Sequence, residues 1–195
     1  MGQKENQLMR TPMREHILDV ASELFATRGI NATGVDTIVA SAGIAKMTLY
    51  KYFKSKEQLI VEYLKKHDDI LRKGLFDRVQ GNQGAPATQL KPLIDAVMEW
   101  IADPEFKGFA FINAFVEFPQ TESQVNQVSV EFAQALRDTI ACSAEQSGVK
   151  KPEILALQLS LLIEGAAMAE QMQPGSGAIE HAREAANILI DAALA

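Results

Sequence analysis

Apolar residues recur at helical spacing along almost the whole chain. Ile17, Leu18, Ala21, Leu24 and Phe25 fall at i, i+1, i+4, i+7 and i+8, which marks one face of a helix. That helix starts at Thr11-Pro12, where threonine suits the cap and proline the first turn. Arg28-Gly29 ends it, glycine being suited to the left-handed position past a helix. Thr33 is placed to cap a second helix running to about Ala42, with Asp36 in the first turn, where a carboxylate favours the positive helix end. Gly43 makes a sharp turn, and a third helix follows from about Lys46 to Phe53. Ser55-Lys56-Glu57-Gln58 reads as a capping box for a fourth helix, which carries Leu59, Ile60, Tyr63, Leu64, Ile70 and Leu71 and runs to about Val79.

The stretch from Gln80 to Thr88 (QGNQGAPAT) reads as a loop. Further helices are expected over Leu90–Ala102, Phe106–Phe118, Glu122–Ser147, Pro152–Met172 and Ala178–Leu194. Proline and glycine fall between these stretches, at Asp103-Pro104, Pro119, Gly148 to Lys151 and Gln173 to Gly177. No alternating strand pattern and no internal repeat is present. The expected fold class is all-α with about nine helices.

Composition narrows this picture. Apolar residues make up 47% of 195, enough for a core without disulfides or metals. The one cysteine, Cys142, excludes an internal disulfide framework and suits a reducing cytoplasm. The N-terminal MGQKENQLMR has no apolar signal segment. Apolar runs fall short of the roughly 20 residues of a membrane helix. The longest, Leu155 to Met168, is interrupted by Gln158 and Glu164. A cytoplasmic protein without a membrane partner is expected. The net charge of −6 divides unevenly, at +3 over residues 1–66 and −9 over residues 67–195. A basic front and an acidic rear suit a chain that meets DNA with one end.

The segment Val35 to Phe53 has the mechanics of a DNA reader. Two short helices cross with almost no linker, and Gly43 supplies the backbone freedom. Ile38, Ala42, Ile44 and Leu49 are small or apolar where the helices face each other, and Phe53 is placed to anchor the second of them against the first helix of the chain. The outward face is left with Lys46, Met47, Thr48, Lys51 and Tyr52, residue types that meet a major groove and its phosphates. Arg10 and Arg14 are placed either as a basic arm near the minor groove or as solvated charges.

The run AGIAKMTLYKYFKSKEQLI resembles the tetracycline-repressor (TetR) family through Ala42, Gly43, Ile44, Thr48, Leu49, Tyr50, Tyr52, Phe53, Lys56, Glu57 and Leu59. Upstream, Phe25, Gly29 and Thr33 match the same family. The close resemblance covers about residues 12–62. It implies a helix-turn-helix DNA-binding domain over residues 1–55, and an effector-binding and dimerisation domain over 56–195. It implies phosphate contacts from Thr33 and Lys56, backbone contacts from Tyr50 and Tyr52, and base contacts from Lys46, Met47, Thr48 and Lys51. Three positions depart from the family pattern. Ala45 replaces a Ser or Thr cap worth roughly 1 kcal/mol, Val39 replaces Ala, and Met47 replaces Gly or Pro, so DNA preference cannot be copied from a relative.

The rear holds no G-x-S-x-G, H-E-x-x-H or P-loop signature, and His16, His67 and His181 lack ligand spacing. No enzyme, metal or cofactor is expected. The resemblance places an effector cavity beside the aromatic-rich stretch from Trp100 to Phe118. The residues expected to line it are Trp100, Phe109, Asn113, Phe115, Glu117, Gln158, Glu164 and Met168. The last two helices are rich in small residues and suit a four-helix interface between two copies. Leu159, Leu161, Leu162, Glu164, Gly165 and Ala166 carry a similar pattern in the family's C-terminal helices.

The expected protein is a homodimeric repressor, released from a near-palindromic double-stranded DNA operator by a small apolar or amphipathic molecule. Two rival readings stand beside it: a DNA-binding regulator controlled by a protein partner or co-repressor, and, more remotely, an all-helical enzyme.

Overall fold

The computed structural model describes residues 10–80, 90–104, 106, 108–118 and 122–195. Among the described residues there are nine helices and no strand. They are α1 (Arg10–Arg28), α2 (Val35–Ser41), α3 (Lys46–Tyr52), α4 (Lys56–Gln80), α5 (Leu90–Ile101), α6 (Ala110–Glu117), α7 (Gln124–Gln146), α8 (Pro152–Met172) and α9 (Ala178–Leu194). The all-α expectation and the order of the helices hold. The loop expected after Gln80 and the break at Pro119 lie outside the described residues, as does the side chain of Leu71.

One helix start differs by more than two residues. The expected helix from Phe106 begins at Ala110, because Gly108 sits at a φ of +87°, a left-handed conformation that a helix cannot contain.

The chain divides into two compact units. The first comprises residues up to 67 together with 110–129. The second comprises 68–109 together with 130–195. In the first, α1 buries the five apolar positions that mark its face, Ile17, Leu18, Ala21, Leu24 and Phe25. Ile38 of α2, Leu49 of α3, Phe53, and Leu59, Ile60 and Leu64 of α4 complete this core. Each side chain of this size contributes roughly 1.5–3 kcal/mol when removed from water.

In the second unit α8 and α9 pack side by side. α8 contributes Leu155, Leu159, Ile163 and Ala166, and α9 contributes Ile179, Ala182, Ala186 and Ile190. The alanines let the helices approach closely. α5 packs on α9 through its own apolar face, and Lys91–Asp191 (2.6 Å) and Arg183–Asp95 (3.5 Å) pair their edges. α8 corrects one expectation: over its 21 residues it is apolar enough, by length and composition, to cross a membrane. Seven of its residues are nevertheless buried within this unit.

Candidate nucleic-acid interface

The turn between α2 and α3 shows why glycine stands at position 43. Ile44 N–H donates to Val39 C=O (3.1 Å) and Gly43 N–H to Ala40 C=O (3.3 Å), closing the end of α2 in the Schellman arrangement. That arrangement needs a left-handed residue, and Gly43 has a φ of +65°. The His16 Nε2–H of α1 donates to Ala42 C=O (3.0 Å), so α1 holds the same turn from behind.

α3 then divides into faces. Leu49 and Phe53, four residues apart, are fully buried. Lys46, Met47, Tyr50 and Lys51 form one exposed stripe at i, i+1, i+4 and i+5, with Met47 79% and Tyr50 41% exposed. Thr48 and Tyr52 are half-buried along its edge. As expected of Ala45, no side chain caps α3. The Arg14 guanidinium lies 5.0 Å from the centre of the Phe53 ring and pairs with Glu62 at 2.5 Å. Arg14 therefore fixes the end of α3 to α1 and α4 and is not a free basic arm. Lys46 donates to Asp36 at 2.9 Å. This bond, before the plain charge attraction, raises the Lys46 pKa above its ordinary value.

Two DNA-contact expectations need correction or refinement. Thr33 is fully buried. Its hydroxyl is shared between Gly29 C=O (2.8 Å) and Leu24 C=O (3.3 Å), and its N–H donates to Ile30 C=O (3.3 Å). It neither caps α2, whose cap is Gly34, nor faces a phosphate. The carbonyls of Leu24 in the last turns of α1 and of Gly29 just past it take its hydroxyl inward instead. Lys56 is half-exposed, and its ammonium donates to Ile30 C=O at 2.6 Å. Burial lowers its pKa, opposed by the negative charge of Glu117.

The fourth helix starts where its sequence predicts, with the back-reaching bond of the capping box displaced by one residue. Gln58 N–H donates to Ser55 Oγ (3.0 Å), and the Gln58 side chain reaches back to Lys54 N–H (2.7 Å).

The residues expected to line a pocket are divided between the two units. Trp100 and Phe109 pack with Phe106 in the second unit, their ring centres 4.7 to 5.5 Å apart. Glu164, also there, is half-buried, and desolvation raises its pKa against the opposing charge of Arg137. Gln158 and Met168 are exposed on α8. Asn113, Phe115 and Glu117 belong to the first unit, where Phe115 is 46% exposed and Asn113 half-buried.

Glu117 is a correction. Its two carboxylate oxygens accept the N–H groups of Ile30 (2.9 Å) and Asn31 (2.5 Å), so it serves the corner between α1 and α2 and not a pocket. Asn31, absent from the expected set, donates its side-chain amide to Glu117 C=O (2.9 Å). Ser160 was likewise not anticipated: its hydroxyl is buried on α8 with no hydrogen-bond partner among the described residues.

Residues 17–63, which hold this pair of crossed helices, match the family profile of bacterial regulatory proteins, tetR family. The chain is 31% identical over 141 residues to the HTH-type transcriptional activator FasR of Mycolicibacterium smegmatis, covering 72% of this chain and 64% of that one. It is 39% identical over 88 residues to the HTH-type transcriptional repressor KstR2 of the same species, covering 45% and 42%. The matched chain thus spans less than two thirds of the length of these relatives. The crystal structure of SCO4454, a TetR-family transcriptional regulator from Streptomyces coelicolor, superposes with a TM-score of 0.88 at 25% identity, covering 95% of this chain and 97% of that one. Profile, relatives and fold agree, and the chain belongs to the TetR family of bacterial regulatory proteins.

Proposed function

We propose that this protein is a sequence-specific DNA-binding transcription regulator, acting in the cytoplasm as a homodimer on a near-palindromic operator. The exposed stripe Lys46, Met47, Tyr50 and Lys51, opposite the buried Leu49 and Phe53, carries this reading. It combines phosphate-binding cations, a hydroxyl and an apolar tip able to meet a thymine methyl on a helix of major-groove size. One reader covers only a few base pairs. Two readers on a two-fold axis read half-sites with centres about 34–36 Å apart, or a multiple of that.

The dimer is supported by α8. Ile154, Leu157, Leu161, Met168 and Met172 are large, apolar and exposed on one face of it, and Ile188 is exposed on α9. An apolar stripe of this kind normally meets a partner.

We further propose repression, relieved by a small apolar or amphipathic effector bound in the second unit. The partnerless hydroxyl of Ser160, one helical turn from the half-buried Glu164, supports it by offering polar groups in an apolar helix. An effector preferring the released form ~100-fold supplies about 2.7 kcal/mol, an ordinary allosteric coupling. The ring-on-ring packing of Trp100, Phe106 and Phe109 favours a second reading, a regulator with a filled core and no small-molecule ligand.

The test is selection of random duplex DNA by the purified protein at physiological salt, with the double variant Lys46→Ala/Tyr50→Ala alongside. A near-palindrome enriched by the wild type and lost in the variant is expected. Weak binding without a motif, unchanged in the variant, would sink the DNA-reading function.

A further inference from the structure

The corner between α1 and α2 is held by groups from outside the helix-turn-helix. Ile30 and Asn31 give both backbone N–H groups to the Glu117 carboxylate, and the Asn31 side chain donates to Glu117 C=O. Glu117 ends α6, so its carbonyl is one of the acceptors a helix terminus leaves unpaired, and the corner supplies the donor. From another side the Lys56 ammonium takes Ile30 C=O. Ile30 is thus gripped at both its N–H and its C=O by charged groups, and charge-assisted bonds are shorter and about twice as strong as neutral ones. The fit is close as well: a Cβ at Gly29 would lie 3.4 Å from Glu117 Oε1.

The neighbours of Glu117 are tied down in turn. Glu57 Oε1 accepts Gln124 N–H at the start of α7 (3.2 Å), and Asn126 donates its side-chain amide to Phe118 C=O (3.2 Å). The end of α6 is a fixed point in the first unit. The chain runs from Asn31 through the buried Thr33 directly into α2, which has no side-chain cap of its own. The hold on this corner, together with the His16 and Arg14 contacts, sets the direction in which α2 and α3 leave α1.

We infer that Glu117 is a positioning residue for DNA reading, clamping the Ile30–Asn31 corner to the end of α6 so that α3 meets the groove at one fixed angle. This rests on the DNA-reading function proposed above. A residue that only stabilised the fold would lower the fraction of active protein. A residue that sets an angle also governs which half-site spacing is accepted.

The experiment uses the full chain as wild type, Glu117→Ala, Glu117→Gln and Asn31→Ala. Each is titrated against the selected operator and against operators with one base pair added or removed between half-sites. The active fraction comes from stoichiometric titration.

For Glu117→Ala, affinity per active molecule is expected to fall about 10- to 100-fold, comparable to losing one or two base contacts. Its preference for the native spacing should shrink, while affinity for non-operator duplex stays within about twofold, since that depends on phosphate charge. Glu117→Gln and Asn31→Ala, which keep part of the clamp, should fall between. Wild-type affinity and spacing preference in the active fraction of all three variants would overturn the role, whatever their melting temperatures. If the wild type itself selects no motif, the DNA-reading function fails and the positioning role falls with it. The wild-type arm tells the two failures apart.

Discussion

Asp36 of α2 holds the Lys46 ammonium of α3 at 2.9 Å on open surface, the two side chains being 83% and 52% exposed. The N-terminal end of the exposed stripe thus carries its own counter-charge. A phosphate must compete with Asp36 for Lys46, which weakens binding to any duplex, whatever its sequence. Asp36→Asn should tighten non-operator binding and steepen the slope of log K against log salt by about one. Melting temperature should stay unchanged, because exposed pairs add little to stability. A salt slope equal to the wild type's would mean that Lys46 does not reach a phosphate.

Lys56 poses the opposite case. The family resemblance gives it a phosphate, whereas its ammonium bonds Ile30 C=O at 2.6 Å. Lys56→Met should cost about 1 kcal/mol, a charged hydrogen bond discounted for partial exposure, and should leave the salt slope unchanged. A slope shallower by about one at constant melting temperature would show that the ammonium leaves Ile30 for DNA.

Thr33 and Glu117 show where sequence reading stops. The face of α1, the Gly43 turn and the Ser55–Gln58 cap were legible because each is written in residues a few positions apart. A threonine before a helix looks the same whether its hydroxyl caps forward or turns back to Gly29 C=O. The path of the backbone from Gly29 to Thr33 decides this by bringing the Gly29 and Leu24 carbonyls within reach, and the residue types alone do not specify that path. The partners of Glu117 lie more than eighty residues away, and no spacing rule connects them. In an aromatic-rich stretch its carboxylate looked like a polar group lining a pocket. Arg14 was open between arm and solvated charge for the same reason, since Glu62 and Phe53 become its neighbours only on folding. Gly108 delays α6 by four residues through a φ of +87°, which nothing in the apolar periodicity reports.

Gly108 and Gly43 separate two costs of a side chain. A Cβ at Gly43 meets nothing within 4 Å, so Gly43→Ala carries conformational strain alone, about 1 kcal/mol. A Cβ at Gly108 would stand 2.8 Å from the Gln171 amide, so Gly108→Ala carries the strain and must also displace that amide. A loss of about 2 kcal/mol is expected there. Thermal melting of the two variants should rank Gly108→Ala below Gly43→Ala. The reverse order would mean that the Gln171 amide moves aside freely.

His67 lies edge-on to Tyr63, ring centres 4.6 Å apart, and burial first, then the charge of Lys66, lowers its pKa. The folded protein therefore favours the neutral imidazole, while the unfolded chain takes up a proton near pH 6.5. The stability tied to this group is complete above that value and is lost as pH falls through the lower folded-state value. Urea midpoints should decline less between pH 7.5 and 5.5 for His67→Gln than for the wild type. Parallel curves would place the acid sensitivity elsewhere.

Leu161 is 61% exposed at the middle of the apolar stripe on α8. It contributes little to the core of its own chain, so Leu161→Glu should leave the circular dichroism and the helix content unchanged. If α8 is the dimer face, the variant puts two carboxylates into an interface built from apolar side chains. Unpaired charges there each cost several kcal/mol. Light scattering should then report the mass of one chain where the wild type gives two. Operator affinity should collapse toward that of a single half-site, because the second reader is no longer tethered. A variant that stays dimeric and binds as tightly as the wild type would remove α8 from the interface, leaving its exposed leucines and methionines without a partner.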